Sequence, residues 1–471
     1  MEHKDSQVEH ERFARVPHLW ALGTGTVVAG SFFGWQAGLS AGFLGFVINL
    51  SIATVFYMLL LFSIAEMSTA IPCGGGPYIF AERAWGPTGG YFAGIAEALK
   101  IVVTVAAGSS ANAAYMNSVL DLSSAWSPIW WIVFCFIFFL LNVGGVALTF
   151  NAQVATTAAS LLFLIIFYIG SISHIDYDKW VVAQDWEYQG GALGMFSGFS
   201  FVMWFYLGVE ELPLAVEEAV NPTKDMPKGI ILSFATVVVL AFSTLCCSSM
   251  MSPGASGVLN ALAPLFEAYK TIFGDTATVR GLCVLLVIGL LSSFHSFIYC
   301  SGRLLFAMAR AGILPSALAK LHPTRQTPYV ALGFVTGFAV FADVVLHYTI
   351  GDDVLTSVLI NLSLIGALVS YAFQISSFIR LRLKAPDMER PYRSPFGMPG
   401  AILCFLMVFA ILSSIIYQGS QSTNFLISVI VAIVYFVVAG VIYFWRIKGK
   451  QNVTEESLQD NLVSPGAVDE A

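Results

Sequence analysis

The chain has 471 residues, 57% of them hydrophobic and only 11% charged, with a formal net charge of -7. A soluble domain carries about a quarter charged residues, so a soluble globular protein is excluded. Repeated apolar runs of about twenty residues point to an all-α integral membrane protein.

Residues 1–17 are polar and charged, with no short apolar core of a signal peptide, and are expected to be a cytoplasmic tail. About twelve spans follow. The first five are expected at 18–41, 43–70, 88–119, 128–149 and 153–173, and the next five at 193–218, 229–252, 278–302, 328–349 and 354–379. Two more are expected at 399–418 and 424–445. The transmembrane domain is thus 18–447, with one repeat over about 18–173 and a second, in inverted sense, over about 193–379. Residues 448–471 are polar, end acidic, and are expected to be a disordered cytoplasmic tail.

Orientation follows from the basic residues of the short loops. With the N-terminus inside, Lys4, Arg12, Arg15, Arg83, Lys224, Lys228, Arg303, Arg310, Arg380, Arg382 and Arg390 share one side, whereas Lys179, Lys270 and Arg280 fall on the other. Both termini are therefore expected in the cytoplasm, and the plasma membrane is the expected location.

Two spans are interrupted in matching places. The first carries Gly30, Ser31 and Gly34, the sixth Gly208, Glu210, Glu211 and Pro213. A spanning helix that breaks in the membrane leaves backbone groups that hydrocarbon cannot satisfy, so a break is tolerated only inside protein or beside a polar cavity. Paired breaks in two halves mark a transporter's binding site, with half-helix ends attracting charged groups of the substrate. Small residues at these positions could equally serve close helix packing.

Glu210 is costly in a membrane, by roughly 2.5–3.5 kcal/mol on insertion scales, and is expected to face a cavity or a partner. A proton carrier, a counter-charge for an amine and an anchor to a neighbouring helix all fit it. Glu211 is expected nearer water. Trp204, one turn before the break, is placed to cover a ligand or to pack. Glu97 and Lys100 lie three residues apart on one helical face and can pair. His295 is the one histidine deep in a span and could relay protons or simply pack. Ser292, Ser293 and Ser296 offer hydroxyls for a sodium ion or for their own helix. The seven cysteines are scattered, and no spacing suggests a disulfide framework or a metal site. No nucleophile stands with a base, so an enzyme is not expected.

Three motifs carry a family resemblance. The run Trp204–Glu210 with Glu217–Lys228, the run Ser301–Pro315 followed by Thr327-Pro328, and Ala70–Tyr78 followed by Ala84–Pro87 resemble the amino acid–polyamine–organocation permeases. Phe33-Gly34-Trp35 and Trp204–Leu207 are most similar to the ethanolamine branch. The resemblance implies a LeuT-like fold of inverted five-helix repeats with broken helices 1 and 6, and alternating access. It implies that Gly30, Ser31 and the carbonyls near Leu207 hold the substrate's polar end, with Trp204 as a gating aromatic and Phe297 as a pocket aromatic; Phe32, Phe33, Gly34 and Gly208 beside them complete the expected substrate site. Many members read Gly-Ser-Gly where this chain has Gly30-Ser31-Phe32; the Phe32 ring would stand in a carboxylate's path, which favours a small substrate or one without a carboxylate. Lys100 replaces the branch's acid in span three, and Ser160 stands where some members carry a sodium-replacing lysine.

The expected function is secondary active transport of a small amine or amino acid by proton coupling or exchange, with Glu210 and His295 as coupling candidates. A receptor on the same scaffold is the alternative. No cofactor beyond a coupling ion, H+ or Na+, and no nucleic-acid partner is expected.

Overall fold

The computed structural model describes residues 12–261 and 263–447. The expected terminal tails lie outside them, save for residues 12–17. Helices run α1 (Val16–Val27), α2 (Phe43–Ala70), α3 (Pro77–Leu120), α4 (Ser127–Val143) and α5 (Val146–Ser171), then α6 (Gly191–Val202) and α7 (Pro222–Ser249). Three short pieces follow, α8 (Gly254–Val258), α9 (Pro264–Phe273) and α10 (Ala277–Cys283). The chain ends in α11 (Val287–Arg310), α12 (Tyr329–Ile350), α13 (Asp352–Lys384), α14 (Gly397–Gln421) and α15 (Thr423–Ile442). Among the described residues, β-pairing is limited to a single parallel bridge, Ala14 with Ala219.

Eleven helical segments among the described residues are long and apolar enough to cross a membrane. The first expected span is the exception. α1 has 12 residues, and at about 1.5 Å per residue it reaches only about 18 Å. Its continuation is a 3-10 turn, Val28–Ser31, and a second 3-10 segment, Gln36–Ala41. The sixth span behaves alike: α6 gives way to 3-10 turns at Met203–Phe205 and Val209–Glu218, with Gly208 at φ 128° between them.

Several boundaries differ from expectation: α3 starts at Pro77 rather than 88 and continues past a non-helical Gly86, α7 starts at Pro222 rather than 229, and α11 runs on to Arg310 rather than 302. α4 ends at Val143 and α5 starts at Val146, not near 150, because the chain turns at Gly145 with φ 118°. Only a residue without a Cβ adopts that conformation cheaply.

The core is the bundle around the two broken segments. α3 packs along α13 and against α11, while α1 lies between α5, α7 and α11. Close approach needs small residues: a Cβ on Gly366 of α13 would meet the Lys100 amide nitrogen at 2.8 Å. Outward faces stay apolar, as at Phe341, Val239 and Ile169, which suits contact with lipid.

The three motif stretches converge at one end of the bundle. Gly74 donates its N–H to Glu217 Oε1 at 3.1 Å, and Arg303 Nη2 lies 2.5 Å from Glu218 Oε1. The incoming chain joins them, with Phe13 and Ala14 donating to the Glu218 carbonyl at 2.9 and 2.8 Å.

Candidate functional site

The two broken segments touch through their main chains. A Cβ on Gly30 would lie 2.7 Å from the Trp204 carbonyl oxygen. Glycine is therefore required at this crossing by backbone approach. Gly34 is needed twice over, since its φ is 89° and a Cβ there would meet the Trp204 indole nitrogen at 2.5 Å.

Ser293 of α11 holds the first break open. An intact helix would join the Ala29 N–H to the Gly25 carbonyl. Instead the Ser293 hydroxyl stands between them, accepting from Ala29 N at 2.9 Å and donating to Gly25 O at 2.7 Å. One side chain thereby satisfies both groups that the break exposes.

Beside this crossing the packing leaves a narrow cavity, lined by Gly30, Phe33, Trp204, Leu207 and Phe297 among the expected residues. Asn112 and Thr104 of α3 add polar atoms to its wall. Among the described residues, no ionisable side chain lines it. Both amide atoms of Asn112 and the Trp204 indole nitrogen are buried without a hydrogen-bond partner. Phe33 meets Trp204 edge to face at 5.8 Å, and beyond them Trp35 stacks on Phe46 and Phe205 at 6.0 and 5.6 Å. Asn112 was not expected from the sequence; an asparagine in the third span was the available signal.

Other expected residues lie elsewhere. The Phe32 ring is turned onto Gly289 of α11 and is absent from the cavity wall, so it does not bar a carboxylate. Ser31 is buried toward Tyr168 rather than the cavity. Gly208 backs the wall, where a Cβ would press on Thr26 and Phe297. Ser292 is already engaged by α5: Gln153 Nε2 donates to it at 3.0 Å and Thr157 Oγ1 lies at 3.2 Å. Ser296 donates to its own helix at Ser292 O, 3.2 Å away, and Ser160 does the same to Thr156 O at 2.6 Å. His295 packs on Phe138 at 5.3 Å, with neither ring nitrogen hydrogen-bonded.

The acids assemble below the second break. Lys100 Nζ lies 2.7 Å from Glu97, 3.0 Å from Glu210 and 2.5 Å from Glu211, all buried. The expected Glu97–Lys100 pair is present, but Glu211 is 1% exposed and part of the same cluster, not near water. Glu210 also accepts from the Tyr371 hydroxyl and, at 2.9 Å, from the Gly208 N–H. A carboxylate with three donors is an anchor, and here it ties the break to α3 and α13.

Known transporters are similar to this chain in fold and in sequence. A manganese transporter of Eremococcus coleocola superposes with a TM-score of 0.59 at 14% identity, covering 93% of this chain and 98% of that one, a likeness of fold alone. The methylthioribose transporter of Bacillus subtilis (strain 168) is 27% identical over 80% of this chain and 83% of its own length. The branched-chain amino acid permease of the same organism is 24% identical over 80% of this chain and 79% of its length. These relatives are transporters, not enzymes. Residues 19–462 match the amino acid permease family model, and the chain belongs to the amino acid permease family.

Proposed function

We propose that this chain is a secondary active transporter that moves a small, net-neutral solute of the amino acid kind by alternating access. The supporting observation is the cavity at the crossing of the broken helices. Its wall is largely apolar and uncharged, yet Asn112 and Trp204 offer an amide donor, an amide acceptor and an indole donor that no described residue satisfies. Buried polar groups without partners are costly, and a bound solute would supply the partners. An ethanolamine-like amine fits less well. It would need a carboxylate in the wall, and Glu97, Glu210 and Glu211 are held by Lys100 outside it.

A neutral sugar thioether is the second reading. It is favoured by the same uncharged wall and by the likeness to the methylthioribose transporter. The distribution of basic residues supports cytoplasmic termini, and a plasma-membrane location belongs to the same proposal. Coupling is by protons or by exchange. His295 stands apart from the cluster among aromatic rings, so the acids around Lys100 are better coupling candidates than His295.

The test is a thermal-shift screen of the purified chain, since a ligand of the native state raises its apparent stability, followed by flux into liposomes. Stabilisation and uptake with neutral amino acids support the reading. A response to ethanolamine alone sinks the net-neutral assignment, and binding without flux favours a receptor.

A further inference from the structure

We infer that Glu97 and Glu211 share a single proton, and that this proton travels with the substrate. The inference rests on the transport reading above for its second half only. Three buried carboxylates surround the one ammonium of Lys100. Glu210 is satisfied as an anion by Lys100, Tyr371 and the Gly208 N–H. That leaves Glu97 and Glu211 competing for what remains of the same cation. Glu97 also accepts from Ser370 through Oε2. Glu211 has Lys100 near Oε1, but neither of its oxygens, though buried, has a hydrogen bond of normal geometry. Their Oε1 atoms sit on the same Lys100 Nζ, at 2.7 Å for Glu97 and 2.5 Å for Glu211, so the two carboxyl groups are crowded together around one ammonium. Like charges that close cannot both persist in a buried interior, so one carboxyl keeps its proton and donates it to the other.

Among the described residues, the neighbours do not supply a second cation. Tyr57 of α2 and Tyr371 of α13 face the cluster with their hydroxyls 3.3 Å apart, and Cys300 faces it from α11. Gln374 donates to Ser370 at 3.1 Å, behind Glu97.

The pair is mechanically joined to the cavity. Gly208 packs against Thr26 and Phe297 of the wall, and its N–H holds Glu210, the residue next to Glu211. When the segment Val209–Glu218 swings, Glu211 separates from Glu97. The O–H bond of the acid then breaks, the proton passes to water, and the electron pair stays on the carboxylate.

Infrared spectroscopy of the full chain in lipid tests the pair without any flux measurement. Wild type should show the carbonyl band of a neutral carboxylic acid that shifts in D2O. Glu211→Gln should remove it, and Glu97→Gln should remove the same band, because the remaining acid then ionises beside Lys100. Glu210→Gln should keep it. A band unchanged in both Glu211→Gln and Glu97→Gln overturns the shared proton. In proteoliposomes, one proton per substrate lets a one-unit pH gradient sustain about tenfold accumulation. Glu211→Gln should fall to an accumulation ratio of about one while still equilibrating labelled substrate by counterflow. Accumulation that still follows the gradient in Glu211→Gln overturns the coupling role. A wild-type chain that moves no substrate overturns the transport reading instead, and the infrared result still decides the pair.

Discussion

Asn112 and Gly30 show how single residues make this site. Asn112 sits in the wall with no protein partner for its amide. Replacing it by Ala should leave folding intact, because no internal hydrogen bond is lost, and should weaken substrate binding. A hydrogen bond left unmade is worth about 1–3 kcal/mol, so affinity should drop by roughly one to two orders of magnitude in a titration followed by tryptophan fluorescence or calorimetry. An unchanged affinity would remove Asn112 from the site. Gly30 acts through space, not chemistry. Gly30→Ala forces a methyl to 2.7 Å from the Trp204 carbonyl, and since backbone cannot yield as a flexible side chain can, the two broken segments must part. Transport should be lost, and the melting temperature lowered, even though alanine is the better helix former.

At the scale of the element, the question is why a helix breaks where it does. α1 stops because Ser293, from another helix, occupies the place of the Gly25–Ala29 hydrogen bond. Ser293→Ala removes the hydroxyl and leaves two buried main-chain groups, each costing about 1–3 kcal/mol if unpaired. The chain can recover that loss by closing the helical bond and straightening. Slower hydrogen exchange at Ala29, together with lost uptake, is the expected result; uptake at the wild-type level would show that the break does not depend on Ser293. The sixth-span break is held differently, by Glu210 receiving the Gly208 N–H. The two breaks have similar roles in the fold but different fasteners.

At the scale of the molecule, one end of the bundle is locked by Arg303 and Glu218, 6% and 1% exposed. Removing one partner of a buried pair costs about 3–5 kcal/mol, whereas replacing both by apolar residues is often neutral. Arg303→Leu should therefore lower the melting temperature markedly, and Arg303→Leu with Glu218→Leu should regain most of it. If the double variant is no more stable than the single one, the pair is not the lock. The same end carries Cys73, the exposed free cysteine that follows α2. With the proposed orientation, a membrane-impermeant maleimide should label it in inverted vesicles and not in right-side-out ones.

Much of this molecule was legible from the chain alone. Hydrophobic runs place spans because lipid forbids unpaired backbone, a constraint that acts locally and shows in every window of sequence. The two interruptions are legible for the same reason, since Gly30, Gly34, Gly208 and Glu210 stand out against apolar surroundings. Glu97 and Lys100 could be paired from their spacing on one helix. What spacing within a helix cannot tell is which helix comes next to it. The tertiary structure alone decided that Glu211 joins Lys100, that Phe32 turns to Gly289 while Phe33 faces the cavity, that Ser293 rather than Ser292 bridges the break, and that Asn112 is left unsatisfied. Each of these is a contact between residues far apart in the chain, and its energy depends on geometry that no single segment contains.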